Sequence, residues 1–334
     1  MQNFLDPAIL FFALGVLAGC LKSNLEIPQP VSRFLSLYLL MALGLKGGAA
    51  LAKSGLTAEV AVSLGCAVVL AVCVPLLGYQ LLRRVLPGFD AAAVAATYGS
   101  VSAVTFITAT QFLDGQQIAY GGHMAAAMAL MESPAIILAV VLANGLRQSA
   151  RALAVSGGQA ASMTLSGPGR PASLGKILHE SLTDGTQLLL LGAMLVGLLA
   201  GEAGKEAMAP FTTGLFKGML AFFLLDMGLL TARNLGKLRG QSPWLLAYAF
   251  CAPVLHAGLA LALAVVLGVS AGNAALLMIL AASASYIAAP AVIRYAIPEA
   301  NPSLYFSMSL GLTFPVNILV GIPVYTGIAM RVLG

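Results

Sequence analysis

The sequence predicts an all-α integral membrane protein of ten transmembrane helices, built as two inverted five-helix repeats joined by a polar linker. Three observations predict it. First, 60% of the residues are hydrophobic and only 9% are charged, where a soluble domain carries about a quarter charged residues. Second, hydropathy divides the chain into ten apolar runs, most of them near the ~20 residues that a spanning helix needs. Third, the two halves repeat one another in order. Leu39-Leu-Met-Ala-Leu-Gly-Leu45 matches Phe223-Leu-Leu-Asp-Met-Gly-Leu229, Ser100 and Ser102 match Ser283 and Ser285, and Glu132-Ser-Pro-Ala-Ile-Ile-Leu138 matches Thr313-Phe-Pro-Val-Asn-Ile-Leu319. The offsets are 184, 183 and 181. Such a drift is what loops absorb within an internal repeat. Five spans per copy, an odd number, invert the second copy in the membrane.

The spans fall at about 7–21, 31–52, 58–82, 91–112, 119–146, 183–201, 211–232, 243–268, 272–296 and 303–331. The first lacks a basic leader and follows Asp6, so it reads as a spanning helix and not a cleaved signal. The first and sixth are short. The stretch 147–182 is rich in Ser, Gly and Pro and reads as a flexible linker between repeats 1–146 and 183–334.

The net charge of +5 does not indicate nucleic acid, because the basic residues lie in loops between spans. Their placement sets the orientation. Lys22, Arg33, Arg83, Arg84, Arg147, Arg151, Arg170, Lys176, Arg233, Lys237, Arg239 and Arg294 fall on one side, while Lys46, Lys53, Lys205 and Arg331 fall on the other. The positive-inside bias puts the linker in the cytoplasm and both termini outside the inner (plasma) membrane. The four cysteines lie in apolar segments without metal-ligand spacing and read as packing residues.

The serine pairs are the first candidates for chemistry. Small polar residues in the fourth and ninth spans can interrupt a helix and free its backbone groups. A half-helix that starts inside the membrane then aims free N–H groups and a positive dipole end at an anion. Substrate-binding candidates are Gly99, Ser100, Ser102, Thr105, Ser283 and Ser285. The bland reading of each serine is helix packing. Glu132 and Asp226 are carboxylates inside apolar spans, where an acid faces a cavity, a partner or an ion path. Ion-binding candidates are Ser102, Glu132, Ser285 and Asn317, with Glu132 as the sodium ligand. Asp226 has Lys46 or Lys217 as possible partners. No phosphate loop or nucleophile–base pair is visible, which argues against an enzyme and against direct ATP driving.

Ala281-Ala-Ser-Ala-Ser-Tyr-Ile-Ala-Ala-Pro290, Arg294 and Ile297-Pro-Glu-Ala-Asn-Pro-Ser-Leu-Tyr305 together resemble the cyanobacterial-type sodium-dependent bicarbonate transporter family. Gly44-Leu-Lys-Gly-Gly48, Tyr98-Gly-Ser-Val-Ser-Ala-Val-Thr105 and Met131-Glu-Ser-Pro134 match it in the same order, over nearly the whole chain. The resemblance implies a core and a gate, with interrupted spans four and nine crossing in the core. It implies bicarbonate bound at that crossing, sodium as the coupling ion and no other cofactor. It also implies an elevator-like motion, a homotrimer and a cytoplasmic PII-like regulator. This chain departs from the family at Tyr286, which stands where the family has an acid, at Ala284, Ala288 and Val104, which replace small polar residues, and at Glu132, which replaces an aspartate. Two other readings stay open on sequence: an organic-anion or bile-acid-type sodium symporter, and a non-transporting membrane sensor or scaffold.

Overall fold

The computed structural model describes residues 6–156, 185–238 and 241–334. Residues 157–182 of the linker lie outside the described residues. The regular elements described are all helical. They are α1 (Pro7–Cys20), α2 (Gln29–Ser54), α3 (Ala58–Leu82), α4 (Gly88–Gly99), α5 (Ala103–Gly115), α6 (Met124–Ser156), α7 (Gly185–Ala209), α8 (Phe216–Leu235), α9 (Pro243–Leu267), α10 (Ala271–Ala282), α11 (Ala288–Ala296) and α12 (Pro302–Leu333). Among the described residues, eight segments are long and apolar enough to cross a membrane, with α1 and α10 as shorter apolar helices.

Local chemistry sets the helix ends. Asp6 caps α1 by accepting from the Ala8 N–H at 2.8 Å, with Pro7 in the first turn. Thr57 caps α3 and Asn301 caps α12 in the same way. α12 loosens into two wider turns, at Ser309–Thr313 and Asn317–Gly321.

Two boundaries differ from the sequence expectation. α6 runs through 147–156, which composition assigned to the linker. Those residues are mostly Ala, Arg, Leu and Gln, all good helix formers, and the first glycine is Gly157. α7 is two helical pieces separated at Gly201, whose φ of 59° and ψ of −147° break the helix at the expected end of the span, and a second piece follows to Ala209.

Glycines bring helix backbones into contact. α1 packs along α8, and α2 along α7. A Cβ at Gly15 would sit 2.2 Å from the Leu225 carbonyl oxygen, and one at Gly228 2.3 Å from that of Phe12. A Cβ at Gly48 would sit 1.9 Å from the Met194 oxygen, and one at Gly197 2.3 Å from that of Leu45. Close approach of this kind replaces the hydrophobic effect as the force between membrane helices. The remaining helices pack among themselves: α3 with α4 and α6, α9 with α10, and α10 with α12. On the linker side, Arg147 of α6 clamps the loop after α11. It donates to both Glu299 oxygens at 2.8 and 2.7 Å and to the Ala296 carbonyl at 2.9 Å. The Arg147 hydrogen bond holds the Glu299 carboxyl below its ordinary pKa.

Candidate anion site

The fourth apolar run is broken. α4 ends at Gly99, Ser100 is extended at φ −86° and ψ 165°, and α5 begins at Ala103. The ninth run breaks alike. α10 ends at Ala282, Ser283 has φ −79° and ψ 163°, and α11 begins at Ala288. The Pro75 ring fills the place of a Gly99 side chain, 2.5 Å from where its Cβ would be, so the first break is wedged against α3.

The two breaks bind one another. The Ser285 N–H donates to the Thr97 carbonyl at 2.8 Å. The Ser102 N–H donates to the Ser283 hydroxyl oxygen at 2.9 Å, and that hydroxyl donates to the Leu280 carbonyl at 2.7 Å. These bonds satisfy the Ser285 and Ser102 N–H groups and the Thr97 carbonyl inside the protein.

Both following half-helices start at one cavity of about 50 Å³. Ser102, Ala103 and Val104 form one wall, and Ser285 to Ala288 another. Ser102 is the N-cap of α5, and Ser285, two residues before the Ile287 N-cap of α11, reaches the first turn of that helix. The Ser102 oxygen accepts from the Thr105 N–H at 3.2 Å, and the Ser285 oxygen from the Ala289 N–H at 3.1 Å. Glu132 of α6 closes a third side and accepts from Gln187 Nε2 of α7 at 3.0 Å. Tyr286 lies against Phe314, with ring centroids 5.0 Å apart, and its hydroxyl points at the Met227 sulfur 3.5 Å away. With ~10–15 Å³ of such volume needed per water, the cavity has room for roughly three or four heavy atoms.

Of the residues singled out by sequence, Ser102, Ser285 and Glu132 meet at this cavity. Gly99, Ser100, Thr105 and Ser283 lie behind it. The Ser100 and Thr105 hydroxyls are buried with no partner among the described residues. Asn317 borders the second break and donates to the Ala282 carbonyl at 2.8 Å, outside the cavity wall. Asp226 accepts from the Ser32 hydroxyl, Lys46 lies beside Asp114, and Lys217 lines a separate cavity with Asp6, so among the described residues neither expected lysine is placed at Asp226. Sequence reasoning missed Ser36, Thr186 and Gln187, which complete the walls. Gln187, an uncharged polar residue near the head of an apolar run, was the available signal.

Among the described residues, no cluster of three His, Cys, Asp or Glu side chains suits a transition metal. The donors present are hydroxyls, helix N-termini and one carboxylate, which suit a small anion and a hard monovalent cation. No curated protein matches the chain. A sequence model described as the Na+-dependent bicarbonate transporter superfamily matches residues 7–330. On that match the chain belongs to the Na+-dependent bicarbonate transporter superfamily, a family of transporters and not of enzymes.

Proposed function

We propose that this protein is a secondary active transporter that takes up bicarbonate together with sodium. One observation carries the reading: two half-helix N-termini, each with a serine hydroxyl accepting one of its first N–H groups, meet with Glu132 at a cavity of about 50 Å³. Bicarbonate has four heavy atoms and fits that room. A bile-acid-sized organic anion needs a pocket nearer ~300 Å³ or more. The Ser102 and Ser285 hydroxyls and the helix ends hold the anion, while Glu132 and the oxygens beside it on the cavity wall hold sodium. Coupling follows from charge. Without sodium the Glu132 carboxylate repels an incoming anion, and with sodium bound the anion meets a neutral pair and two positive helix ends.

Uptake of labelled bicarbonate into liposomes tests this. We expect uptake to rise steeply with external sodium, and sodium-indifferent uptake overturns the coupling. Ser102→Ala and Ser285→Ala each remove a hydroxyl donor to a charged ligand, worth roughly 1.5–3 kcal/mol. Each should weaken apparent bicarbonate affinity about tenfold or more. Unchanged affinity in both variants makes these serines packing residues.

The inverted repeat draws support from correspondences between the halves. α4 and α10 are both 12 residues long and end in serines of nearly the same dihedrals. Gly15 and Gly197 lie 182 positions apart, and Gly44 and Gly228 lie 184 apart. The first-half helix α1 packs on α8, and α2 on α7, the exchange of partners that a two-fold relation produces. In this reading α1, α2, α7 and α8 are a stiff gate, and the broken helices sit in a core that slides past it, elevator-like. Residues 1–146 and 183–334 are the two repeats, in the inner membrane with both termini outside. A cysteine placed at Ser156 in a cysteine-free background should resist impermeant label in intact cells, and ready labelling reverses the orientation. The homotrimer and the PII-like regulator belong to the same reading and rest on the family resemblance.

A further inference from the structure

A larger cavity, of about 310 Å³, lies at the other end of α5 from Ser102. Lys46 of α2, Asp114 of α5, Tyr120 of the loop after α5 and Lys205 of α7 line it. The 1.5 Å rise per helical residue puts Asp114 about 18 Å from Ser102. Packing explains the glycines of Gly44-Leu-Lys-Gly-Gly48. A Cβ at Gly44 would sit 2.6 Å from the Leu190 oxygen, one at Gly48 1.9 Å from that of Met194, and one at Gly47 2.8 Å from that of Gly122. Lys46 has no such role. Its ammonium is 3.8 Å from Asp114 Oδ2, the outer limit of an ion pair, and 5.2 Å from the centre of the Phe216 ring. An ammonium has three donors, and this contact engages one of them loosely. Asp114 Oδ1 is taken by the Tyr120 hydroxyl at 3.0 Å. Lys205 adds a second ammonium. Its partner Glu202, at 2.7 Å, is not part of the cavity wall. Each ammonium therefore has a carboxylate beside it, Glu202 held tightly by Lys205 and Asp114 held loosely by Lys46, and it is the Lys46 donors that are left to the cavity.

We infer that the Lys46–Lys205 cavity is a second anion site, separate from the Ser102 cavity, for a small monovalent oxyanion. It lies on the face that the charge bias puts outside. A cavity of this size holds the anion with part of its water, so binding is weak and exchange fast. That the anion is bicarbonate rests on the proposed function, whereas the existence of the site does not.

The test compares Lys46→Gln with Asp114→Asn at constant ionic strength. Two readouts apply: the shift in thermal unfolding on titration with sodium bicarbonate, and the half-saturating concentration for uptake. Lys46→Gln should raise the half-saturating concentration about fivefold, the worth of one cation beside one anion at nearly aqueous dielectric. Asp114→Asn should lower it, because the competing charge goes while an acceptor for Tyr120 stays. Opposite signs are the signature of an anion site. A purely structural Lys46–Asp114 pair moves both variants the same way, and that result, or no change in either, overturns the inference. If the unmutated protein shows no response to bicarbonate, the same titration is repeated with nitrate. Opposite signs with nitrate keep the site and reject bicarbonate, and no response to nitrate rejects the site as well.

Discussion

Glu132→Gln abolishes sodium-stimulated uptake while leaving the protein folded and in the membrane. Glutamine keeps the shape of the side chain and a carbonyl oxygen able to accept the Gln187 Nε2 bond now made at 3.0 Å. The substitution therefore removes the charge and keeps this bond. A sodium ion at membrane depth loses its water and needs compensating charge, or oxygen ligands good enough to replace that water. Tyr286 occupies the place where the family has an acid and offers a neutral hydroxyl, shared between the Met227 sulfur and the Ser102 hydroxyl. Glu132 is then the acid on the cavity wall. The companion variant Tyr286→Asp should raise apparent sodium affinity by adding an anionic ligand. It also removes the aromatic contact with Phe314, a loss of about 0.5–1.5 kcal/mol beyond buried area, and should lower thermal stability. Flux measured against sodium concentration decides. If the unmutated protein is indifferent to sodium, the coupling hypothesis falls whatever the variants do.

The apolar runs were legible because lipid imposes length and composition on every spanning helix. The α4–α5 interruption left a visible trace as well, since Gly99, Ser100 and Ser102 are conspicuous in a run of alanines and valines. What was not legible depended on packing. Ser100 and Ser102 look equivalent in sequence, yet Ser102 lines the cavity and Ser100 is buried behind it. The difference arises from how the break turns, which no local pattern records. Ser36 and Gln187 reach the cavity because glycines on α2 and α7 draw those helices together, a tertiary fact about two segments far apart in the chain. The helical extension of α6 through 147–156 was hidden by the Ser, Gly and Pro that follow it. Composition averaged over the linker outweighed the helix propensity of its first ten residues.

Ser283→Ala destabilises the protein, whereas Ser100→Ala does not, although the two serines occupy matching places in the two breaks. The Ser283 hydroxyl accepts the Ser102 N–H at 2.9 Å and donates to the Leu280 carbonyl at 2.7 Å. Without it the Leu280 carbonyl keeps the Ser283 N–H at 3.1 Å, but the Ser102 N–H is left without this acceptor in a buried place. A buried donor without an acceptor costs about 1–3 kcal/mol. The effect should also reach function, because Ser102 heads the half-helix at the cavity and its position rests on that bond. Ser100 differs. Its hydroxyl is buried and finds no partner among the described residues, so alanine removes a polar atom that is already unsatisfied. Its substitution should fall within about 0.5 kcal/mol of neutral, or stabilise. Thermal unfolding in detergent measures both. The expected order is Ser283→Ala well below the unmutated protein and Ser100→Ala at or above it. Equal losses would mean that the Ser283 bridge is not what joins the two breaks, and the direct Ser285 N–H to Thr97 carbonyl bond at 2.8 Å would then hold them alone.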